Sequence, residues 1–340
     1  MAVRIGLIGC GMIGREHLRR INELCPDAKL VAVSDVFEEG ARKAIANISD
    51  VRFEKDPMKL IAADDVDAVV ITTPDVTHEM YVLAAIAQNK HVFVEKPLAA
   101  TAEGAIRIME AEQKAGKKLV QVGFMRRFDR GYIALKDCIE KGTIGEPLIC
   151  HCAHRNPIIP EEAQETIANK ALIIGTAIHE IDVMSWLLDD YFVAAEVIYP
   201  RRSGLIKGTF NDPQIVLMTT SKGIVVSLEM YVCCQMGYDI QCEVVGETGI
   251  ARMPEPFGVT LRSKNKLSTE IKEDWRFRFC EAYDDELRLW TEAVARGEHS
   301  GGPDAWDGYR AAVTADACIR AQDSASRESV SMIEKPAFYC

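Results

Sequence analysis

The segment from Arg4 to Asp35 constrains the fold more than any other part of the chain. An apolar run, Ile5 to Ile8, leads into the turn GCGMIG, and a helical stretch then connects this turn to a second apolar run, Leu30 to Val33. That order is typical of a β-α-β unit. Its three glycines allow a tight turn, close approach of a pyrophosphate to the backbone, and close packing of the helix on the strand. The helix that follows directs its first N–H groups at the anion. We therefore predict a dinucleotide site at Gly9, Gly11, Met12, Ile13 and Gly14.

Asp35 indicates which dinucleotide binds. It lies 21 residues after Gly14, at the end of the second predicted strand. A carboxylate at this position can accept hydrogen bonds from both ribose hydroxyls of adenosine, and it would repel a 2′-phosphate. No arginine or lysine follows in Val36 to Glu39. These residues favour NAD over NADP, and the use of both cofactors stays open.

Predicted strands and helices alternate up to residue 124, with further buried strands at 66–72, 91–94 and 119–124. This alternation predicts an α/β domain with a doubly wound parallel sheet, which binds ligands outside the carboxyl ends of its strands. Two segments besides the glycine turn fall at such ends, 72–75 and 95–97. We therefore expect further cofactor contacts from Thr73, Pro74, His78, Glu95 and Lys96.

The pattern changes after residue 125. Several strand-like runs surround one helical stretch, 171–188, and two more helices are predicted at 275–296 and 304–322. Runs of strands with a crossing helix are typical of an α+β domain on an antiparallel or mixed sheet. We predict two domains, 1–124 and 125–340, with a C-terminal tail that can pack back on the first.

Composition and charge exclude several classes of function. A net charge of −11 and a pI near 5.3 argue against nucleic acid as a partner. We expect no membrane segment, and the first strand follows Met1 so closely that no secretory signal is expected. Eleven scattered cysteines are typical of reduced thiols in a cytoplasmic protein. Cys150, Cys152 and His154 alternate on one strand, but no spacing indicates a fourth ligand, so we expect no metal.

Two residues are candidates for proton chemistry. Lys96 ends a predicted strand, where its ammonium could hydrogen-bond a substrate hydroxyl and ease deprotonation; the alternative is a solvated lysine. His179 and Asp182 are three residues apart and share a helix face. An imidazole titrates in the range suited to accepting an alcohol proton, and the alternative is a structural histidine.

Four motifs together resemble the Gfo/Idh/MocA family of sugar and polyol oxidoreductases: GCGMIG at residue 9, EKPL at residue 95, MRRF at residue 125 and HEIDV at residue 179. The resemblance implies an N-terminal Rossmann domain and a mostly antiparallel C-terminal sheet that lines the active site and mediates assembly, commonly as a homotetramer. It also implies that Lys96 and His179 flank the substrate carbon. The positions that it assigns to polyol binding are Met125, Arg126, His154, Asn156, Thr176, Asp182 and Tyr238.

The activity that the resemblance implies is NAD-dependent oxidation of a secondary hydroxyl of a cyclic polyol, with myo-inositol as the first candidate. One position departs from the family pattern. Many members carry an aspartate four residues before the histidine, and Gly175 stands there in this chain. Three alternatives follow: the aspartate is dispensable, the substrate is another inositol isomer, sugar or glycoside, or the protein binds NAD and polyol without turnover.

Overall fold

The computed structural model describes residues 2–157, 159, 161–254 and 259–340. The chain forms two compact units. The first contains residues 1–125, 283–312 and 333–340, and the second contains residues 126–282 and 313–332. The units are therefore discontinuous in sequence, whereas the prediction placed a single boundary between residues 124 and 125.

The first unit is built on a six-stranded parallel sheet in the order β3-β2-β1-β4-β5-β6. Its elements up to residue 123 are β1 (Val3–Ile8), α1 (Met12–Glu23), β2 (Ala28–Ser34), α2 (Glu38–Ala44), β3 (Arg52–Phe53), α3 (Pro57–Ala62), β4 (Ala68–Ile71), α4 (His78–Ala87), β5 (His91–Glu95), α5 (Ala102–Ala115) and β6 (Val120–Gly123). The chain order reverses between β1 and β4, which is the switch point of a doubly wound sheet. The predicted α/β fold of this part is confirmed.

The residues of the first unit explain these elements. β4 is buried along its whole length, as expected for an apolar strand that is covered on both faces of a parallel sheet. α5 begins where the Thr101 hydroxyl accepts the N–H of Gly104 at 3.1 Å. It ends at Gly116, which has the left-handed φ of 68° that a helix end of this kind requires.

The second unit is built on a seven-stranded mixed sheet. Its elements, and those of the rest of the chain, are α6 (Arg130–Glu140), β7 (Pro147–Arg155), α7 (Glu161–Gln164), α8 (Asn169–Leu172), α9 (Ile178–Leu187), β8 (Phe192–Ile198), β9 (Gln214–Thr220), β10 (Val225–Tyr231), β11 (Asp239–Gly246), β12 (Ile250–Arg252), β13 (Thr260–Ser263), β14 (Lys266–Thr269), α10 (Trp275–Arg278), α11 (Cys280–Ala295), α12 (Ala305–Ser324) and β15 (Glu328–Ser329). The strand order is β12-β11-β7-β10-β9-β8-β15. β7 and β10 run parallel, and the other neighbours run antiparallel, so the prediction of a mostly antiparallel sheet is confirmed.

The predicted helix at 171–188 contains an irregularity. α8 and α9 are joined by a π-helical turn, Ile173–Ala177, so the helical path runs from residue 169 to residue 187. Turns of this kind are frequent at functional sites because they displace the side chains that follow. The short hairpin of β13 and β14 was not predicted from the sequence, and its residues are exposed on both strands.

The last residues of the chain belong to the first unit. The Tyr339 hydroxyl donates to Oε2 of Glu112 on α5 at 2.7 Å, and the Ile333 N–H donates to the Tyr309 hydroxyl at 2.9 Å. These contacts anchor the tail to α5 and α12. Among the described residues, the helices are too short or too polar to cross a bilayer, and no cluster of histidine, cysteine and carboxylate side chains suits a metal ion.

Candidate functional site

The glycine turn between β1 and α1 has the shape that a dinucleotide needs. Gly9 has a φ of 99°, and a Cβ there would lie 2.7 Å from the carbonyl oxygen of Thr72. A Cβ on Gly14 would collide with the carbonyl oxygen of Gly9. A Cβ on Gly11, in contrast, would meet no atom within 4 Å, so the backbone is open on this side to an incoming group. The turn therefore fits a pyrophosphate at Gly11, and the N–H groups of Met12 and Ile13 follow at the start of α1.

Asp35 connects the end of β2 to this turn. Its Oδ2 accepts the N–H of Cys10 at 2.5 Å, and its Oδ1 accepts the N–H of Phe37 at 2.7 Å. Both oxygens are thereby fixed in position, and a carboxylate oxygen keeps further lone pairs for a ribose hydroxyl. Burial, and then the charge of Asp35, raise the pKa of the Cys10 thiol to about 12, so this cysteine stays protonated and unreactive.

A pocket of about 360 Å³ lies beside Asp35. It is open to the first two glycines of the turn and is otherwise lined by Ile8, Ser34, Asp35, Val36, Lys55, Pro57, Thr72, Thr73, Pro74, Thr77 and Tyr81. The lining combines apolar side chains with hydroxyl and charged groups, which suits an adenosine moiety. Thr73 and Pro74 were predicted, whereas Lys55 and Tyr81 were not.

Lys96 follows the last residue of β5 and rests on a buried support. Oε1 of Glu95 lies 2.8 Å from Nε2 of His17, and Oε2 of Glu95 accepts the Lys96 N–H at 3.3 Å. His17 is on α1 and is fully buried, with its ring packed edge-on against Phe93. The first unit thus ties the strand end that carries Lys96 to the helix that begins at the dinucleotide turn.

His78 begins α4, and its ring points into the protein. Nδ1 lies 2.7 Å from the carbonyl oxygen of Pro97, and Nε2 lies 2.8 Å from the carbonyl oxygen of Thr73. Both ring nitrogens therefore face backbone, and His78 is 1% exposed. The expected contact between His78 and the cofactor stays a prediction.

In the second unit, His179 lies one residue into α9, directly after the π-helical turn. His179 and Thr176 are buried. Gly175 is exposed within the turn, and a Cβ there would meet no atom of the described residues within 4 Å. The position left by the family aspartate is therefore open, and it could accept a side chain without displacing a neighbour.

Arg126, Glu180 and His154 form a buried network in the second unit. The Arg126 guanidinium donates to Oε1 of Glu180, and Nδ1 of His154 lies 3.0 Å from Oε2 of Glu180. Burial opposes the ionisation of Glu180, but Arg126 and then His154 hold the pKa of this carboxyl below its usual value. Nη2 of Arg126 also lies 3.1 Å from Nδ1 of His154, so the guanidinium, the carboxylate and the imidazole all meet at this ring nitrogen.

Other predicted substrate residues surround this network. The rings of His154 and His179 are 6.4 Å apart, and the Tyr238 ring packs edge-on against His154 at 5.7 Å. Burial raises the pKa of Tyr238 to about 12, so its hydroxyl keeps its proton. The structure thus brings together Arg126, His154, His179 and Tyr238 within the second unit.

The remaining three predicted residues have other surroundings. Asp182 is held by two hydrogen bonds from Arg127, at 2.5 and 3.0 Å. Asn156 follows β7, and its N–H donates to the carbonyl oxygen of Tyr231 at 2.9 Å. Met125 is buried in the first unit. The substrate contacts expected of these three residues stay a prediction.

Glu180 and His17 are the two main residues that sequence reasoning did not assign. Glu180 is a charged residue inside an apolar helical stretch, and that signal could have indicated a buried partner. His17 lies in a helix rich in charged residues, where no local pattern distinguishes it. Their partners, Arg126 and Glu95, are 54 and 78 residues away, so spacing alone could not supply them.

Comparison with known proteins places these features in a family. Residues 3–124 match the Gfo/Idh/MocA family model described as the NAD-binding Rossmann fold of an oxidoreductase family, and residues 136–332 match that family's C-terminal alpha/beta domain. The chain is 51% identical to an inositol 2-dehydrogenase of Serratia proteamaculans and 52% identical to one of Azotobacter vinelandii. Each match covers 100% of this chain and 99% of the relative.

A solved structure agrees over the same length. The chain is similar to a myo-inositol dehydrogenase of Lactobacillus casei in complex with NAD(H) and myo-inositol, with a TM-score of 0.96 and 39% identity. The match covers 100% of both chains. Together with the two family models, which span most of the sequence, these similarities show that the chain belongs to the Gfo/Idh/MocA family of NAD-dependent oxidoreductases.

Proposed function

We propose that this protein oxidises myo-inositol at one secondary hydroxyl, giving 2-keto-myo-inositol and NADH. The observation that carries the proposal is full-length similarity to proteins named inositol 2-dehydrogenase, which are 51% and 52% identical to this chain. Lys96 is present in the EKPL motif and His179 in the HEIDV motif of this chain. The myo-inositol dehydrogenase of Lactobacillus casei, solved with NAD(H) and myo-inositol, adds a structural relative of the same class.

The proposed chemistry assigns one role to each catalytic residue. His179 accepts the proton of the substrate hydroxyl, for which a neutral imidazole is the suitable base. Lys96 donates a hydrogen bond to the same oxygen and stabilises its developing negative charge. NAD, held by the glycine turn and Asp35, supplies the acceptor for the hydride that leaves the carbon.

The buried network supports polyol binding. A cyclic polyol presents hydroxyl groups that both donate and accept, so its site needs fixed groups of each kind. Glu180 and Arg126 hold the ring of His154 in place, and the Tyr238 ring packs edge-on against it. We assign substrate contacts to Arg126, His154 and Tyr238, and further contacts to Met125, Asn156, Thr176 and Asp182.

Gly175 is the observation that favours a second candidate. The open space at this position would admit a larger or differently oriented ring, such as another inositol isomer, a sugar or a glycoside. A third candidate, a protein that binds NAD and polyol without turnover, also depends on Gly175. Rates with a panel of inositol isomers, glucose and simple glucosides distinguish all three, because the third predicts binding of both ligands with no NADH formed.

We also propose a cytoplasmic homotetramer. All eleven cysteines are free thiols, as expected in a reducing compartment. Several apolar side chains on strands of the second unit are exposed in the single chain, including Leu148, Ile149, Val225 and Ile250. Such residues favour assembly through this sheet. Light scattering coupled to size-exclusion chromatography measures the mass directly, and a monomer would contradict the assembly.

A further inference from the structure

We propose that His78 is held as an imidazolium that ties together the chain segments after β4 and β5, and so acts as a positioning residue for Lys96. The expected effect of His78 on kcat rests on the proposed function, whereas the protonation state of its ring does not. It assigns His78 a role different from the direct cofactor contact expected from the sequence.

The contacts of the ring carry the argument. Nδ1 lies 2.7 Å from the carbonyl oxygen of Pro97, and Nε2 lies 2.8 Å from the carbonyl oxygen of Thr73. Carbonyl oxygens only accept hydrogen bonds, and a neutral imidazole carries one N–H. In a neutral ring, one nitrogen lone pair would therefore face an oxygen lone pair at hydrogen-bond distance. Only the imidazolium donates at both positions.

Because His78 is buried, a neutral ring with one mismatched nitrogen would be costly. His78 is 1% exposed, so water does not relieve a mismatched contact. A buried polar group that faces the wrong partner loses its hydrogen bond and retains its desolvation penalty. Two charge-assisted hydrogen bonds, in contrast, are each roughly twice as strong as the neutral kind and act against the cost of placing a charge in the interior.

His299 in the same unit provides an internal contrast. Its Nε2 lies 3.1 Å from the carbonyl oxygen of Val120, and its Nδ1 accepts the N–H of Gly301 at 3.1 Å. One nitrogen donates and the other accepts, so a neutral ring satisfies both contacts. Burial also lowers the pKa of His299, in agreement with a neutral state. The two histidines therefore differ in the protonation that their surroundings require.

The tie connects two segments that carry predicted cofactor and catalytic residues. Thr73 lines the pocket beside Asp35, and Pro97 directly follows Lys96. On the opposite side of the same strand end, Glu95 accepts the Lys96 N–H and contacts His17. Lys96 is thus flanked in sequence by two anchored residues, and loss of one anchor should displace its ammonium from a substrate hydroxyl.

The direct test is solid-state NMR of the full-length protein labelled with ¹⁵N-histidine at neutral pH. The His78 signals are assigned by their loss in His78→Gln, and the His299 signals by their loss in His299→Gln. We expect both ring nitrogens of His78 to be protonated and one ring nitrogen of His299 to be unprotonated. A His78 ring with one unprotonated nitrogen would overturn the imidazolium.

The positioning role is tested by steady-state kinetics with the polyol that wild type oxidises fastest. In His78→Gln both N–H donors are on one nitrogen, so the side chain cannot donate from the two ring positions that face the Thr73 and Pro97 carbonyls. Small displacements of a catalytic group commonly cost up to about a hundredfold in rate. We expect kcat to fall about tenfold or more, whereas KM changes little. His299→Gln should stay within about twofold of wild type, as a substitution away from the catalytic groups usually does.

Two outcomes separate this proposal from simple misfolding and from failure of the proposed function. If His78→Gln melts with wild type and keeps its kcat, the positioning role is wrong. If His78→Gln is too unstable to assay, His78→Asn, a shorter amide, takes its place in the same comparison. A wild type that is inactive on every polyol would contradict the proposed function. The NMR measurement does not depend on turnover, so it would still show whether His78 is an imidazolium.

Discussion

Glu95 and His17 form a buried pair in which Oε1 of the carboxylate lies 2.8 Å from Nε2 of the imidazole. The other ring nitrogen of His17 has no hydrogen-bond partner within the part of the chain that the structure describes. Glu95 therefore provides the ring's only side-chain hydrogen bond there, and the same carboxylate accepts the N–H of Lys96. This pair links α1, which starts at the dinucleotide turn, to the end of β5.

Glu95→Gln tests the link. If the amide NH₂ faces the Lys96 N–H, two donors meet in a buried place. If it faces Nε2 of His17, the ring proton moves to Nδ1, which has no partner among the described residues. Either arrangement leaves a buried N–H unsatisfied. We expect a loss of about 1–3 kcal/mol in the free energy of unfolding, together with a lower kcat. Urea denaturation measures the first and NADH formation the second. Glu110→Gln, at an exposed position on α5, is the matched control, and equal behaviour of the two variants would contradict a supporting role for Glu95.

Glu180→Gln tests the buried network of the second unit. Arg126 and Glu180 are each 1% exposed, and the substitution would leave the guanidinium without a compensating charge. Breaking a buried ion pair by removing one partner costs about 3–5 kcal/mol. We expect a loss of stability of this size in chemical denaturation. Glu281→Gln removes a solvent-exposed partner of Arg130 and should cost less than about 0.5 kcal/mol. Similar losses in the two variants would contradict the network.

The buried carboxyl of Glu112 should make the stability of the protein depend on pH. Burial raises the pKa of this carboxyl to about 7, although the Tyr339 hydroxyl and the N–H groups of Leu119 and Val120 oppose the shift. The folded state therefore keeps a proton that the unfolded state has already released. The resulting stabilisation is fully present below the unfolded pKa near 4.5 and is lost as pH rises through about 7.

Glu112→Gln should remove this dependence, because the amide is neutral at every pH. Denaturation curves at pH values from about 4 to about 8 should show wild type losing on the order of 3 kcal/mol relative to the variant. Glu110→Gln on the same helix serves as the control and should retain the wild-type slope. If the stability of Glu112→Gln depends on pH as steeply as that of wild type, the Glu112 carboxyl does not titrate in the stated range.

Local sequence patterns were sufficient for the parallel sheet of the first unit and for its dinucleotide turn, but not for the later segments, 283–312 and 333–340, that complete this unit. The strand, the glycines and Asp35 lie within one continuous segment, and each has a backbone or hydrogen-bonding role that fixes its residue type. Lys55 and Tyr81 could not be predicted in the same way, because they come from the segment after β3 and from α4 and meet Asp35 only through the fold.

The same limit applies to the second unit. The helix at 171–188 followed from its composition, but the π-helical turn at Ile173–Ala177 did not, because no single residue type specifies it. Arg126, His154 and Tyr238 were named only through family resemblance. Their common neighbour Glu180 was missed because adjacent helical residues point in different directions, so its closeness to His179 in sequence carried no information about its partners.

The most direct test of the proposed function is NADH formation with myo-inositol, scyllo-inositol, D-chiro-inositol, glucose and simple glucosides, with wild type beside Gly175→Asp and Gly175→Ala. The Cβ of an aspartate at this position meets no atom of the described residues within 4 Å, so we expect the variant to fold. Gly175→Ala controls for the backbone change. We predict that wild type oxidises myo-inositol faster than the other compounds, and that Gly175→Asp increases this rate while Gly175→Ala does not. Wild-type turnover of a sugar or glycoside in preference to every inositol, or binding of NAD and inositol without turnover, would contradict the assignment.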